Sequence, residues 1–112
     1  MYGDKMKVYS RDREYPEEYQ EVLKELGEII DPVTGGDILD SGVVAGLEVK
    51  EDTLKIWLNF ESYAEYNIIG NSAIAYSRII GNIMERLALV KFANVYVYDL
   101  RNNVIGKFEK KG

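Results

Sequence analysis

The chain has 112 residues, a length that suits one domain with one hydrophobic core. Hydrophobic residues make up 46% and charged residues 29%, which is typical of globular proteins and not of disordered chains. The sequence contains neither cysteine nor histidine. Its own side chains therefore cannot supply a thiolate or an imidazole to a reaction or to a metal ion.

The charge and the terminal segments exclude several classes of partner. The net charge is −5, and the only local concentration of lysines, at Lys107, Lys110 and Lys111, is explained as a solvated tail. Because phosphate backbones are bound through clustered basic side chains, nucleic acid is not expected as a partner. No apolar run approaches the ~18 residues of a membrane span, and the first residues lack the apolar core of a secretory signal. We therefore expect a cytoplasmic protein without membrane contact.

An amphipathic helix is predicted over residues 16–30, after a polar N-terminal extension, residues 1–14. Pro16 suits a first helical turn, and apolar residues then recur every three or four positions, as on a helix with one buried face. These are Tyr19, Val22, Leu23, Leu26, Ile29 and Ile30. Asp31 precedes a proline and therefore avoids the helical conformation, which ends the helix.

Two strands, 43–50 and 53–60, are predicted to form a tight hairpin, because only Glu51 and Asp52 separate them. Side chains alternate between the two faces of a strand. In the second strand this puts Trp57 on the face opposite to Leu54, Ile56, Leu58 and Phe60.

A second helix is predicted over 72–89, after a capping box at Ser62 and Glu65. Two more strands follow, at 94–100 and 104–109.

The last two strands are joined by Asn102-Asn103, which suits a two-residue primed turn. A candidate short strand also lies at 5–10, and residues 101–112 form an extra C-terminal strand and tail on a single domain, 1–112. The order helix–strand–strand–helix–strand–strand predicts an α+β fold. We expect a two-layer α/β sandwich in which both helices cover one face of a small mixed sheet.

The segment between the first helix and the hairpin carries a motif. From Ile30 it reads IDPVTGGDILDSGVV, which resembles the pattern IDPELGxDIVxLGLV of the small iron–sulfur cluster assembly domains. These include the SufT-like and PaaD-like proteins and the N-terminal domain of the Mrp/ApbC ATPases. The matching motif residues are Asp31, Pro32, Gly36, Asp37, Ser41 and Gly42. The resemblance continues to the third strand, where the family's N-V-x-V matches 94–97, and it implies the family's fold.

The sequence departs from the family at its functional residue. The family has T-T-P-x-C-P after the second strand, whereas this chain reads ESYAEY at 61–66, and the cysteine would fall near Glu65. Iron–sulfur clusters require thiolate ligands, which a carboxylate does not replace. The resemblance therefore implies the fold, but we expect no cluster and no other cofactor.

Carboxylates are the remaining candidate chemistry. The fold could bring five of them together near the start of the second helix: Asp31, Asp37, Asp40, Glu61 and Glu65. Such oxygen ligands bind hard cations such as Mg²⁺ or Ca²⁺, and paired carboxylates also serve acid–base catalysis. The same side chains are explained as caps of loops and helix ends. We favour that structural interpretation for Asp31 and Asp37.

Trp57, Tyr96 and Tyr98 share the predicted sheet face that the helices leave uncovered. Monomers rarely leave so large an aromatic patch bare, and Trp and Tyr are enriched at protein interfaces. The N-terminal extension is one candidate cover, and a base-stacking role is disfavoured by the acidic charge. We predict that this face is buried against a protein partner or a second copy of the chain.

The sequence thus predicts a non-catalytic accessory or adaptor protein, related to iron–sulfur cluster assembly, that acts through protein–protein contacts. The alternative is a small enzyme or hard-cation-binding protein that uses the carboxylates of Asp31, Asp37, Asp40 and Glu65. A cation titration separates the two, because an adaptor needs no cation.

Overall fold

The computed structural model describes residues 5–32, 34–60 and 71–110, with only the backbone described for 71–75. The elements are α1 (Glu17–Leu26), β1 (Val44–Lys50), β2 (Thr53–Leu58), α2 (Asn71–Leu87), β3 (Asn94–Tyr98) and β4 (Val104–Glu109). Their order confirms the predicted α+β fold. No helix in the described ranges is long and apolar enough to cross a membrane.

The four strands form one mixed sheet in the order β1-β2-β3-β4. The outer pairs are antiparallel, whereas the central strands β2 and β3 are parallel, with Trp57 beside Tyr98. Parallel neighbours need a long crossover, which here contains α2. Because β2 and β3 run in the same direction, their carboxyl ends lie at the same end of the sheet.

The hydrophobic core lies between the helices and one face of the sheet, as the alternation in β2 predicts. Its helical members are Val22, Leu26, Ile79, Ile83 and Leu87, and its strand members include Leu47, Leu54, Ile56, Leu58, Val95 and Val97. Gly106 allows α2 to approach β4, since a Cβ at this position would lie 3.1 Å from Cγ2 of Ile80. Both helices therefore pack on the same face.

Helix α1 is shorter than the predicted helix over 16–30. It ends at Leu26, and Gly27 donates its N–H to the carbonyl of Leu23 (2.9 Å). Ile29 stays buried, but Ile30 is 57% exposed and forms an isolated bridge with Asp37. The apolar periodicity of the sequence extends beyond the end of the helix because the turn that follows still places Ile29 in the core.

The strands end earlier than predicted, β2 at Leu58 and β3 at Tyr98. The tight hairpin is confirmed: Lys50 pairs with Thr53, and Glu51 adopts a left-handed φ of 56°. The predicted capping box at 62–65 lies outside the described residues.

The turn between β3 and β4 is wider than the two-residue primed turn predicted at Asn102-Asn103. It spans residues 99–103, hereafter the β3–β4 turn, and Asp99 donates its N–H to the carbonyl of Asn103 (3.0 Å). A primed turn of type I′ requires positive φ at both central residues. In this turn only Asn102, with φ of 65°, has one.

The N-terminal segment runs along the outer edge of β1. The candidate strand at 5–10 forms a single bridge, between Val8 and Gly46. Tyr9 donates its N–H to the carbonyl of Ala45 (2.9 Å), and Leu47 donates to the carbonyl of Lys7 (2.8 Å). This edge of the sheet is thus covered by the chain itself.

Candidate functional site

Residues 31–42 carry the sequence motif and are called the motif loop below. The described residues of this loop, 31, 32 and 34–42, close on their own backbone. Asp31 donates its N–H to the carbonyl of Gly36 (2.7 Å), and its carbonyl accepts the N–H of Gly35 (2.8 Å). The Asp31 side chain is 1% exposed, and its Oδ2 accepts a hydrogen bond from Oγ1 of Thr34 (3.1 Å). Gly35 has φ of 82°, which favours glycine. The first half of the motif therefore forms a closed turn around a buried carboxylate.

Asp37 organises the second half of the motif loop. Its Oδ1 accepts the N–H groups of Leu39 and Asp40, both at 2.9 Å. Its carbonyl accepts the N–H of Ser41 (2.9 Å), and Gly42 completes the turn with φ of 86°. These contacts are those of a loop-capping aspartate.

The carboxylates proposed as a cation site have separate environments. Asp31 is buried in the motif loop next to an exposed Pro32, whereas Asp40 is exposed and forms an ion pair with Arg11 (3.1 Å). Among the described residues, no group of three histidine, cysteine, aspartate or glutamate side chains could hold a metal ion. Glu61 and Glu65 lie outside the described ranges.

The sheet face around Trp57, which carries no helix, is covered by other parts of the same chain. Trp57 is 0% exposed and Tyr98 is 9% exposed. Their rings stack with centroids 5.2 Å apart. Met6 lies over Gly46, the cross-strand neighbour of Trp57. The alternation of side chains identified the face correctly, but the cover comes from segments far away in the sequence.

Of the three predicted partner residues, Tyr96 retains the most accessible position. It is partly buried, and its hydroxyl donates a hydrogen bond to Oε2 of Glu109 (2.6 Å). This hydrogen bond raises the pKa of Tyr96 and lowers the pKa of Glu109. Glu109 is therefore ionised at neutral pH.

Trp57 anchors the β3–β4 turn. Its Nε1 donates a hydrogen bond to Oδ1 of Asn102 (2.7 Å). Asparagine tolerates the left-handed backbone that Asn102 adopts. The indole thus fixes the position of the turn relative to the end of β2.

Asp99 holds the same turn from its other side. Its Oδ1 accepts the N–H groups of Arg101 (2.8 Å) and Asn103 (2.9 Å), and its Oδ2 accepts the side-chain amide of Asn103 (2.9 Å). Burial alone would raise the pKa of Asp99, but the hydrogen bonds from Asn103 and Arg101 outweigh it and the pKa lies below its ordinary value. Asp99 is a charged cap of the turn.

A groove of about 570 Å³ lies beside this turn, at the carboxyl ends of β2 and β3. It is lined by Leu58, Phe60, Tyr76, Asp99, Leu100 and Arg101. Phe60 lies two residues after the end of β2, so the groove opens where the chain leaves that strand.

The groove combines a fixed aromatic wall with a cation. The rings of Phe60 and Tyr76 stack with centroids 4.2 Å apart, and the Tyr76 hydroxyl donates to the carbonyl of Phe60 (3.0 Å). Leu100 is 38% exposed. The charge of Arg101 lowers the pKa of Asp99, but no hydrogen bond or ion pair joins its guanidinium to another described residue. Within the part of the chain that the structure describes, its donors are therefore unoccupied.

Comparison with known proteins yields no match: no family model, no curated protein and no solved structure matches the chain.

The groove was not predicted from the sequence. The one signal that could have found it is the position of the aromatic Phe60, just beyond the end of β2. Leu100 and Arg101 belong to no motif, and they join the groove only through the fold of the β3–β4 turn.

Proposed function

We propose that this chain is a non-catalytic accessory or adaptor protein, related to the iron–sulfur cluster assembly domains, that acts by binding another protein. The observation that carries the proposal is the groove at the carboxyl ends of β2 and β3. It lies where the resemblance puts the family's functional segment, directly after the second strand. Here the groove offers apolar surface and a guanidinium, and the chain has no cysteine.

The motif loop supports the relation to that family. The element order agrees with the family's, and the motif residues Asp31 and Asp37 use their polar atoms to close the loop. A motif with this structural role can persist after the thiol chemistry is lost, because the fold still requires it. The scaffold is then retained for binding alone.

The groove favours a partner segment that carries an apolar side chain next to a carboxylate. Phe60, Tyr76 and Leu100 provide the apolar contact surface. Arg101 provides a planar guanidinium, which can form paired hydrogen bonds with a carboxylate. Asp99 accepts hydrogen bonds from the backbone N–H groups of its own turn, so its role beside the groove is structural.

In this proposal Trp57 and Tyr98 are positioning residues and not contact residues. Trp57 is bonded to Asn102 in the turn that presents Leu100 and Arg101. The sequence-predicted partner residues would therefore act on the partner through the β3–β4 turn.

Affinity capture from the native host tests the proposal. The bait is the full chain in three forms: wild type, Arg101→Glu, and Arg78→Glu as a matched charge reversal at an exposed site on α2. We expect wild type and Arg78→Glu to capture the same partner, and Arg101→Glu to capture roughly tenfold less or none, as for an interface arginine. Capture of the same proteins by Arg101→Glu, or of no specific protein by the wild type, would contradict the proposal.

A further inference from the structure

The two outer edges of the sheet differ. The outer edge of β1 is covered by the N-terminal segment, with hydrogen bonds at Tyr9 and Leu47. β4 forms the other edge, and no described residue pairs with its outer side. A free edge presents backbone donors and acceptors that another strand can pair with.

The hydrogen bonding of β4 shows which groups face outward. Lys110 donates its N–H to the carbonyl of Ala93 (2.6 Å), and bonded pairs alternate along an antiparallel ladder. The backbone N–H and carbonyl of Phe108 therefore point towards β3. The backbone N–H and carbonyl groups of Lys107 and Glu109 point towards the free edge. The register is unbroken from Gly106 to Glu109, so this part of β4 is a regular strand.

We propose that β4 pairs with β4 of a second copy of this chain, antiparallel, about a two-fold axis at Phe108. In this register Lys107 of each copy lies directly opposite Glu109 of the other. Phe108 faces its own counterpart at the axis. Opposite charges and aromatic side chains stabilise antiparallel pairs when they lie directly across from each other. Because the axis is two-fold, both charge pairs form at once.

Neighbouring registers lack this complementarity. An axis at Lys107 would put two ammonium groups opposite each other, which is destabilising. An axis at Gly106 would put Lys107 opposite Ile105. It would also use the part of β4 next to the register shift between Val97 and Tyr98. Of these three axes, only the one at Phe108 joins regular backbone to paired charges.

The charges are in place for this contact. Glu109 is exposed, and its carboxylate is oriented by the Tyr96 hydroxyl (2.6 Å) and lies 3.7 Å from the Lys107 ammonium. The tyrosine hydrogen bond keeps the pKa of Glu109 below its ordinary value, so it carries its charge at neutral pH. The pairing segment, residues 106–110, contains none of the groove residues, so this inference does not rest on the proposed function.

Analytical ultracentrifugation of the full chain tests the pairing through charge swaps. Wild type should sediment with twice the mass of the 12.8 kDa chain. Lys107→Glu and Glu109→Lys each replace two attractive pairs by two repulsive ones, so each should raise the dimer dissociation constant roughly tenfold or more. An equimolar mixture of the two variants restores opposite charges across the axis and should form heterodimers with near-wild-type affinity.

Lys50→Glu is the matched control, because it makes the same charge change at an exposed residue of β1. It should leave the dimer unchanged. Restored association in the mixture also shows that both single variants are folded. The proposal is overturned if wild type is monomeric up to about millimolar concentration, a range in which even weak dimers assemble. It is equally overturned if both single variants dimerise like wild type, or if their mixture associates no better than either alone.

Discussion

Trp57 is the largest of the fully buried side chains among the described residues. The only polar atom of its side chain, Nε1, donates a hydrogen bond to Asn102. A buried N–H without an acceptor costs free energy, so this contact ties the position of the turn to the position of the indole. Asp31 has a comparable role in the motif loop, where it is buried and bonded to Thr34. At the scale of single residues, the polar side-chain atoms of Trp57 and Asp31 hold turns in place.

Trp57→Phe removes the indole N–H and leaves most of the ring contact with Tyr98. We expect the free energy of unfolding to fall by about 1–3 kcal/mol, and partner capture through the groove to weaken because the turn is less firmly placed. Urea unfolding followed by circular dichroism measures the first effect. Asn102→Asp is the control, since it keeps an acceptor oxygen and a residue that tolerates positive φ. Equal stability of Trp57→Phe and wild type would show that the hydrogen bond does not anchor the turn.

Asp31→Ala removes the buried carboxylate from the motif loop. Loss of a turn or cap bond of this kind should lower the free energy of unfolding by on the order of 1 kcal/mol. Asp40→Ala removes a nearby carboxylate that forms only an exposed ion pair, and it should change stability by less than about 0.5 kcal/mol. Thermal unfolding of both variants measures the difference. If Asp31→Ala kept full stability but lost binding of Mg²⁺ or of the partner, the structural assignment of Asp31 would be wrong.

At the scale of elements, hydrophobic alternation predicted which face of β2 and β3 enters the core. It succeeded because each apolar residue at a two-residue spacing has only one side to occupy. It could not predict the burial of Trp57, since the hydrogen bond to Asn102 and the packing of Met6 over the neighbouring Gly46 each join segments about 40 residues or more apart. The width of the β3–β4 turn could not be predicted for a related reason. It depends on the hydrogen bonds that Asp99 accepts from the backbone of the turn.

Gly46 lies where the N-terminal segment packs against β1. A Cβ at this position would lie 2.9 Å from the carbonyl oxygen of Lys7, closer than side chains normally approach backbone. Gly46→Ala should therefore displace the segment, and the amide hydrogens of Tyr9 and Leu47 should exchange with solvent faster. Hydrogen–deuterium exchange measures both amides.

Gly81→Ala is the control for this substitution. A Cβ at Gly81 meets no atom within 4 Å, and alanine favours the helix, so the exchange at Tyr9 and Leu47 should stay as in wild type. Unchanged exchange in Gly46→Ala would mean that the segment does not depend on the close approach at this glycine.

At the scale of the whole molecule, the fold provides two separate surfaces. The groove lies at the carboxyl ends of the central strands, and the free edge of β4 lies at the side of the sheet. A protein that pairs through β4 and binds a partner through the groove would present two grooves in one assembly. The motif loop and the element order could be anticipated from the sequence. The groove could not, because its walls come from residues about 40 positions apart.

The most direct test of the proposed function is photo-crosslinking from inside the groove in the native host. A photoreactive side chain replaces Leu100, and a matched one replaces Leu89, which is 89% exposed and follows the end of α2 opposite to Tyr76. The proposed function predicts that position 100 forms a covalent adduct with one partner protein of iron–sulfur cluster assembly, and that position 89 does not. No adduct from position 100, or the same adducts from both positions, would contradict it.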